Sequence, residues 1–168
     1  MLATVFSWRA KPARPQTLGE VWLLARVWGA LTLARLLAPR LTLPRLVAWI
    51  AGRRPRSRCC NPRDLVVMKR AQIFADALMY HLRYLQDRKC VPRSLALFYF
   101  AVRRGLPVRF HCGVARGAAG RLEGHAWISL HGEPYLEFAD PRLKYVETFA
   151  YPPAQDKPLT SQQEPPGA

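Results

Sequence analysis

The apolar positions change period along the chain, and the changes predict an α+β fold. Thr17-x-x-Glu20 has the form of a capping box, in which each side chain satisfies a main-chain N–H of the first helical turn. The run VWLLARVWGALTLARLLAPRLTLPRLVAWIAGRR that follows is strongly apolar and is interrupted by Pro39 and Pro44. Crossing a membrane needs ~20 mostly apolar residues, and a central arginine is expensive there. Arg26, Arg35, Arg40 and Arg45 recur too often for that. The run predicts a pair of amphipathic helices that cover the core or receive a partner, with peripheral membrane contact as a lesser alternative. Asn61-Pro62 then supplies a cap and a preset first turn. From Arg63 to Arg88, the apolar residues Val66, Val67, Ile73, Phe74, Ala77, Leu78, Leu82 and Leu85 recur at helical spacing and predict a core stripe. Another helix begins near Cys90, where Pro92 is tolerated in the first turn. It is filled by Leu95, Leu97, Phe98 and Val102 and closed by Gly105.

Beyond Gly105 the period drops to two. Val108, Phe110, Cys112 and Val114 alternate with Arg109, His111 and Gly113, which predicts a strand. RGAAGR makes a turn, Leu122 to Leu130 a second strand, HGEP a tight turn, and Tyr135 to Phe138 a third strand. The sequence therefore divides into a flexible basic arm (1–16), a helical segment with a basic linker (17–60), a core of helices followed by an antiparallel meander (61–150), and a Pro-rich tail expected to be disordered (151–168).

Charge and cysteine content narrow the function classes. Lys and Arg number 26 against 11 Asp and Glu, for a net charge of +15 spread along the chain. Such a surface attracts acidic peptide, nucleic acid or anionic lipid, although most of these charges read as a solvated surface. No RNA-recognition signature of aromatic and glycine strand motifs or a zinc knuckle accompanies them. The first sixteen residues lack the apolar stretch of a secretory signal. Four cysteines (Cys59, Cys60, Cys90 and Cys112) are too sparse for a disulfide-stapled fold, which points to a reducing cytoplasm. Zinc is not expected, because Cys59 and Cys60 are adjacent and lack the ligand spacing of a tetrahedral site. No cofactor is expected.

The candidate chemistry centres on Cys90. A thiol becomes a good nucleophile as thiolate, and the unpaired N–H groups of a helix N-terminus favour that form. Arg88, Lys89 and Arg93 lie close in sequence and would favour it further. Cys–His catalysis also needs an imidazole and a group to orient it. His125 stands in the middle of the second strand, and the HGEP turn brings Glu137 alongside it.

The segments CVPRSLAL, GLPVRFHCGV and GHAWISLHGEP, in this order and spacing, resemble the transglutaminase-like cysteine peptidases of lasso-peptide biosynthesis. The resemblance covers about residues 60 to 140. It implies a papain- or transglutaminase-like core that cuts the leader from a ribosomally made precursor peptide, before a separate ATP-dependent cyclase closes the macrolactam. It further implies Cys90 as nucleophile and His125 as general base and acid, with Glu137 as the third member where the family pattern carries aspartate. Asp140 is the alternative third member. Family members carry a leader-recognition module either fused before the peptidase or as a separate small protein. The residues before 61 read as helices without the strands of such a module, which implies the discrete form and a separate leader-binding partner. The apolar face of residues 18 to 50 is then a docking surface, or equally a face packed on the core.

The other reactive residues have plainer readings. Cys112 falls on the apolar side of its strand and reads as a small core residue; Cys59 and Cys60 have no acid–base partner. His111 and His131 read as solvent-facing or hydrogen-bonded, and His81 as packing or capping on its helix. Trp127 shares the face of His125 and walls either the site or the core. The Cys90 N–H is the expected oxyanion donor, with Gln86 a weaker candidate. Two other classes remain open: an acyl transferase or amidase with the same triad, and a non-catalytic basic protein that binds acidic peptide or RNA.

Overall fold

A computed structural model describes residues 14–52, 61–82, 90–117 and 120–153. Helix α1 (Leu18–Leu37) starts at Thr17, whose hydroxyl accepts the Glu20 N–H at 3.2 Å. The returning half of the box is displaced by one residue: the Glu20 carboxylate accepts the N–H of Gln16 at 2.7 Å. It also takes the guanidinium of Arg70, which ties α1 to the third helix. α1 ends just before Pro39, and α2 (Leu43–Ala51) restarts with Pro44 in its first turn, where a missing N–H costs nothing. Val27, Leu31 and Ala34 of α1 and Leu46, Val47, Ile50 and Ala51 of α2 are buried. The paired helices thus pack on the core, while Trp22, Leu33 and Leu36 stay exposed. No helix among the described residues is long and apolar enough to cross a membrane.

α3 (Pro62–His81) is capped by Asn61, whose Oδ1 accepts the Arg63 N–H at 3.0 Å. Its core face differs from the predicted stripe. Met68, Ala71, Phe74, Ala75 and Met79 are buried, with Gln72 among them, whereas Val66 is 69% exposed and Ile73 faces outward. Apolar residues occupy more than one face of this helix, so periodicity alone does not choose its phase. The helix also stops earlier than expected: Leu82 is already extended (φ −96°, ψ 105°), and Leu85 lies outside the described residues.

α4 (Cys90–Arg103) is buried nearly all round, as befits a central helix. α1, α2 and α3 pack on it, and the sheet covers its remaining side. It closes in a Schellman motif: the Leu106 N–H reaches the Ala101 carbonyl and the Gly105 N–H reaches Val102, with Gly105 at φ 72°.

The sheet has the order β3 (Glu133–Tyr135), β2 (Leu122–Leu130), β1 (Val108–Arg116), β4 (Val146–Tyr151), antiparallel throughout. β1 (Val108–Arg116) pairs with β2 (Leu122–Leu130), and Val108, Phe110, Ala126 and Ile128 join the helices in one core. The turn after β2 is two residues, His131 (φ 54°) and Gly132 (φ 89°), whose paired positive φ values suit the twist of a tight hairpin.

β3 spans Glu133–Tyr135 rather than Tyr135 to Phe138. Leu136 turns out of the extended region at φ 61°, and Phe138 is 79% exposed. A fourth strand that the sequence reading did not anticipate, β4 (Val146–Tyr151), returns to the free side of β1 with a register shift at Cys112/Gly113. Its last residue, Tyr151, pairs with Phe110, so it belongs to the sheet and not to the tail. Among the described residues, four α-helices and a small antiparallel sheet give the expected α+β architecture.

Candidate active site

Cys90 is the first residue of α4, half-buried, with its Sγ 3.8 Å from the Gly124 carbonyl oxygen of β2. Burial pushes its pKa up, but hydrogen bonds with the His125 imidazole and with the main chain of Ala126 and Val91, together with the charge of His125, outweigh it. The net shift is below the ordinary thiol value. His125 responds in the opposite sense. Its bonds with Cys90 and Glu137 lift it to about 9 against the effect of burial. The two shifts describe one preference, for thiolate beside imidazolium.

Glu137 meets the imidazole at Nε2, with its Oε2 3.4 Å away. Its Oε1 accepts from Arg93 Nη1 at 2.8 Å. Arg93 therefore does not serve the thiol as its position in sequence suggested: it clasps Asp76 and Glu137, and its charge is taken up by two carboxylates. Asp140, the alternative third member, is turned elsewhere. It caps the short 3₁₀ helix Pro141–Leu143 and pairs with Arg142 at 2.7 Å.

Trp127, 2% exposed, stacks with His125 and with His111 at centroid distances of 6.1 and 5.3 Å, and Tyr145 stacks with His125 at 5.0 Å. The imidazole of His125 is thus held by aromatic rings as well as by polar partners. His111 is bonded at both nitrogens, through Nδ1 to Glu147 at 2.5 Å and through Nε2 to the buried Ser129 hydroxyl at 2.7 Å. It links β1 to β4 and β2 beneath the site.

Cys112 is half-buried, and burial together with the nearby Cys90 raises its thiol to about 12, far from a reactive range. His81 stands in the last turn of α3 with its ring edge-on to Tyr80, and His131 forms the β2–β3 turn. Cys59, Cys60, Gln86, Arg88 and Lys89 lie outside the described residues. The sequence reading did not find Asp76, Gln72 or Tyr145, which sit in α3 and in the irregular connection before β4 and match no motif.

A thiol at a helix N-terminus, beside an imidazole that a carboxylate faces, has the parts needed for acyl transfer through a thioester. A family model described as the transglutaminase-like superfamily matches residues 33–150. The chain belongs to that superfamily, whose members are typically cysteine-dependent enzymes. Comparison with curated proteins and with solved structures gave no match.

Proposed function

We propose that the protein is a cysteine peptidase that removes the leader from a lasso-peptide precursor, with Cys90, His125 and Glu137 as its triad. The observation that carries the catalytic part is the Cys90 thiol at the head of α4, packed against β2 where His125 stands, with the His125 Nε2 turned to Glu137 at 3.4 Å. The Cys90 thiolate attacks the scissile carbonyl carbon, and the Cys90 main-chain N–H at the helix start receives the oxyanion. The C–N bond breaks as the His125 imidazolium passes its proton to the leaving amine. Water then attacks the thioester with His125 taking one of its protons, and release of the carboxylate product regenerates the thiolate–imidazolium pair.

The lasso-peptide substrate rests on the motif resemblance between residues 60 and 140. The proposed partners are a separate leader-binding protein and an ATP-dependent cyclase that consumes the freed core. Support for a protein partner comes from α1 and α2. Exposed Trp22, Leu33 and Leu36 accompany a groove of about 400 Å³ bounded by Arg26, Leu37, Leu46 and Tyr99. No acidic residue occurs between Glu20 and Asp64, so an acidic amphipathic segment complements this surface.

The test is leader cleavage by the full chain, using a precursor peptide and leader-binding protein encoded beside it, followed by mass spectrometry. Wild type should release the leader, and Cys90→Ala and His125→Ala should not. Products joined to an added amine instead of water would make the protein an acyl transferase with the same triad. Peptide binding without turnover by the wild type would contradict the peptidase.

A further inference from the structure

Arg93 is built into the site more tightly than a solvated arginine next to a thiol requires. Its Nε donates to Asp76 Oδ1 at 2.7 Å and its Nη2 lies 3.4 Å from Asp76 Oδ2. Nη1 donates to Glu137 Oε1 at 2.8 Å, and Nη2 donates to the Leu136 carbonyl at 2.8 Å. The side chain is 16% exposed and that of Glu137 is 11% exposed. One guanidinium therefore joins α3, α4 and the segment leaving β3, using the planar fork that lysine lacks.

The segment it holds is strained. Leu136 sits at φ 61°, a region that a branched side chain occupies only when its surroundings enforce it. Two donors do so, Arg93 Nη2 and Gln72 Nε2, the latter at 3.0 Å, both on the Leu136 carbonyl. The next residue is Glu137. Its two oxygens are divided: Oε1 goes to Arg93, and Oε2 is left turned to His125 Nε2 at 3.4 Å.

We propose that Arg93 is a positioning residue, which holds the Leu136–Glu137 segment so that one carboxylate oxygen faces the His125 imidazole. Asp76 in turn fixes Arg93 from α3. The proposal rests on the Cys90–His125–Glu137 reading and extends it to a side chain that touches neither the nucleophile nor the base. Among the described residues, the ionisable groups around this network are Asp76 from α3, Cys90 from α4, Cys112 from β1, His125 from β2, and Tyr145 before β4.

The experiment is the pH dependence of Cys90 alkylation by iodoacetamide, read on the Cys90 peptide of the full chain by mass spectrometry. It needs no peptide substrate. Glu137→Gln should move the acid limb to higher pH and slow alkylation at neutral pH ~10-fold, since an imidazolium without its carboxylate holds the thiolate less well. Arg93→Lys keeps the charge and removes the fork, so it should move the limb in the same direction. In the Glu137→Gln background, Arg93→Lys should add nothing, because it acts through that carboxylate. A merely structural arginine would lower the melting temperature and leave the alkylation profile in place. An Arg93→Lys profile equal to wild type, or effects that add in the double variant, overturns the proposal while the triad stands. No shift in Glu137→Gln removes both. If Arg93→Lys does not fold, Asp76→Asn reads the same geometry: a shift in the same direction, absent in the Glu137→Gln background, is expected, and no shift overturns the proposal.

Discussion

Gly113→Ala tests the packing that supports His125. Gly113 pairs with His125 across β1–β2 and with Glu147 across β1–β4, at the register shift. A Cβ at this position would lie 2.8 Å from the Val146 carbonyl oxygen and 3.1 Å from Cη2 and Cζ3 of Trp127. Neither neighbour is a flexible side-chain end: one is the main chain of β4, and the other is a buried ring stacked with two histidines. Relief to ordinary contact requires β4 or the indole to move by roughly 0.5 Å, an overpacking cost of ~1–3 kcal/mol. For a chain of this size that corresponds to a melting temperature lower by roughly 3–10 °C. Gly29→Ala in α1, where an added Cβ meets nothing within 4 Å, provides the control. It should gain about 0.5–1 kcal/mol from lost unfolded-state freedom and better helix propensity. Thermal and urea unfolding of both variants decide the matter. A Gly113→Ala protein as stable as wild type would refute the close approach of Trp127 and β4, and with it the β1–β4 register described here.

The remaining expectations concern titration and the acids near the site. Burial lowers the His111 pKa below its ordinary value against the opposing bond to Glu147, so the unfolded chain takes up the proton more readily than the folded one. This contribution to stability is present above the ordinary histidine range and is lost as pH falls through it; urea midpoints at pH 7 and pH 5 should differ less in His111→Gln than in wild type. His125 has the opposite sign. Raised to about 9, it contributes stability below its unfolded value that disappears as pH rises through 9, and urea midpoints of Cys90→Ala should show this loss at lower pH because one of its two partners is gone. Asp140→Asn should leave the Cys90 alkylation profile at its wild-type position, since Asp140 is committed to Arg142 and the short helix; a shift as large as that of Glu137→Gln would reassign the third member.

Local signals made much of the fold legible. Thr17, Pro39 and Pro44 bound α1 and α2, Gly105 closes α4, and β2 runs from Leu122 to Leu130 between its two turns as expected. The α3 stripe was misphased because Val66 and Ile73 are as apolar as Phe74, and the phase depends on what α4 offers to pack against. β3 was displaced because Leu136 and Phe138 look like strand residues. The segment instead bends at Leu136, where Arg93 and Gln72 hold its carbonyl, an interaction from α3 and α4 that no local pattern carries. β4 was missed for a related reason: VETFAY is largely exposed at its start and alternates weakly, so pairing with β1 defines it. Cys90, His125 and Glu137 could be offered as candidates because the helix start, the strand and the turn were readable. The role of Arg93 could not, since its sequence neighbour is the thiol and its partners are distant acids.

The most direct measurement is the alkylation rate of Cys90 in wild type and His125→Gln from pH 5 to pH 10, with Cys112 followed in the same digest. Wild-type Cys90 should react below the ordinary thiol range and far ahead of Cys112, whose thiol is raised to about 12. In His125→Gln the acid limb should move upward to the ordinary thiol value or beyond, because burial remains after the imidazole has gone. A Cys90 that reacts only at high pH in the wild type, or identically in both proteins, would contradict an activated thiol at this helix start.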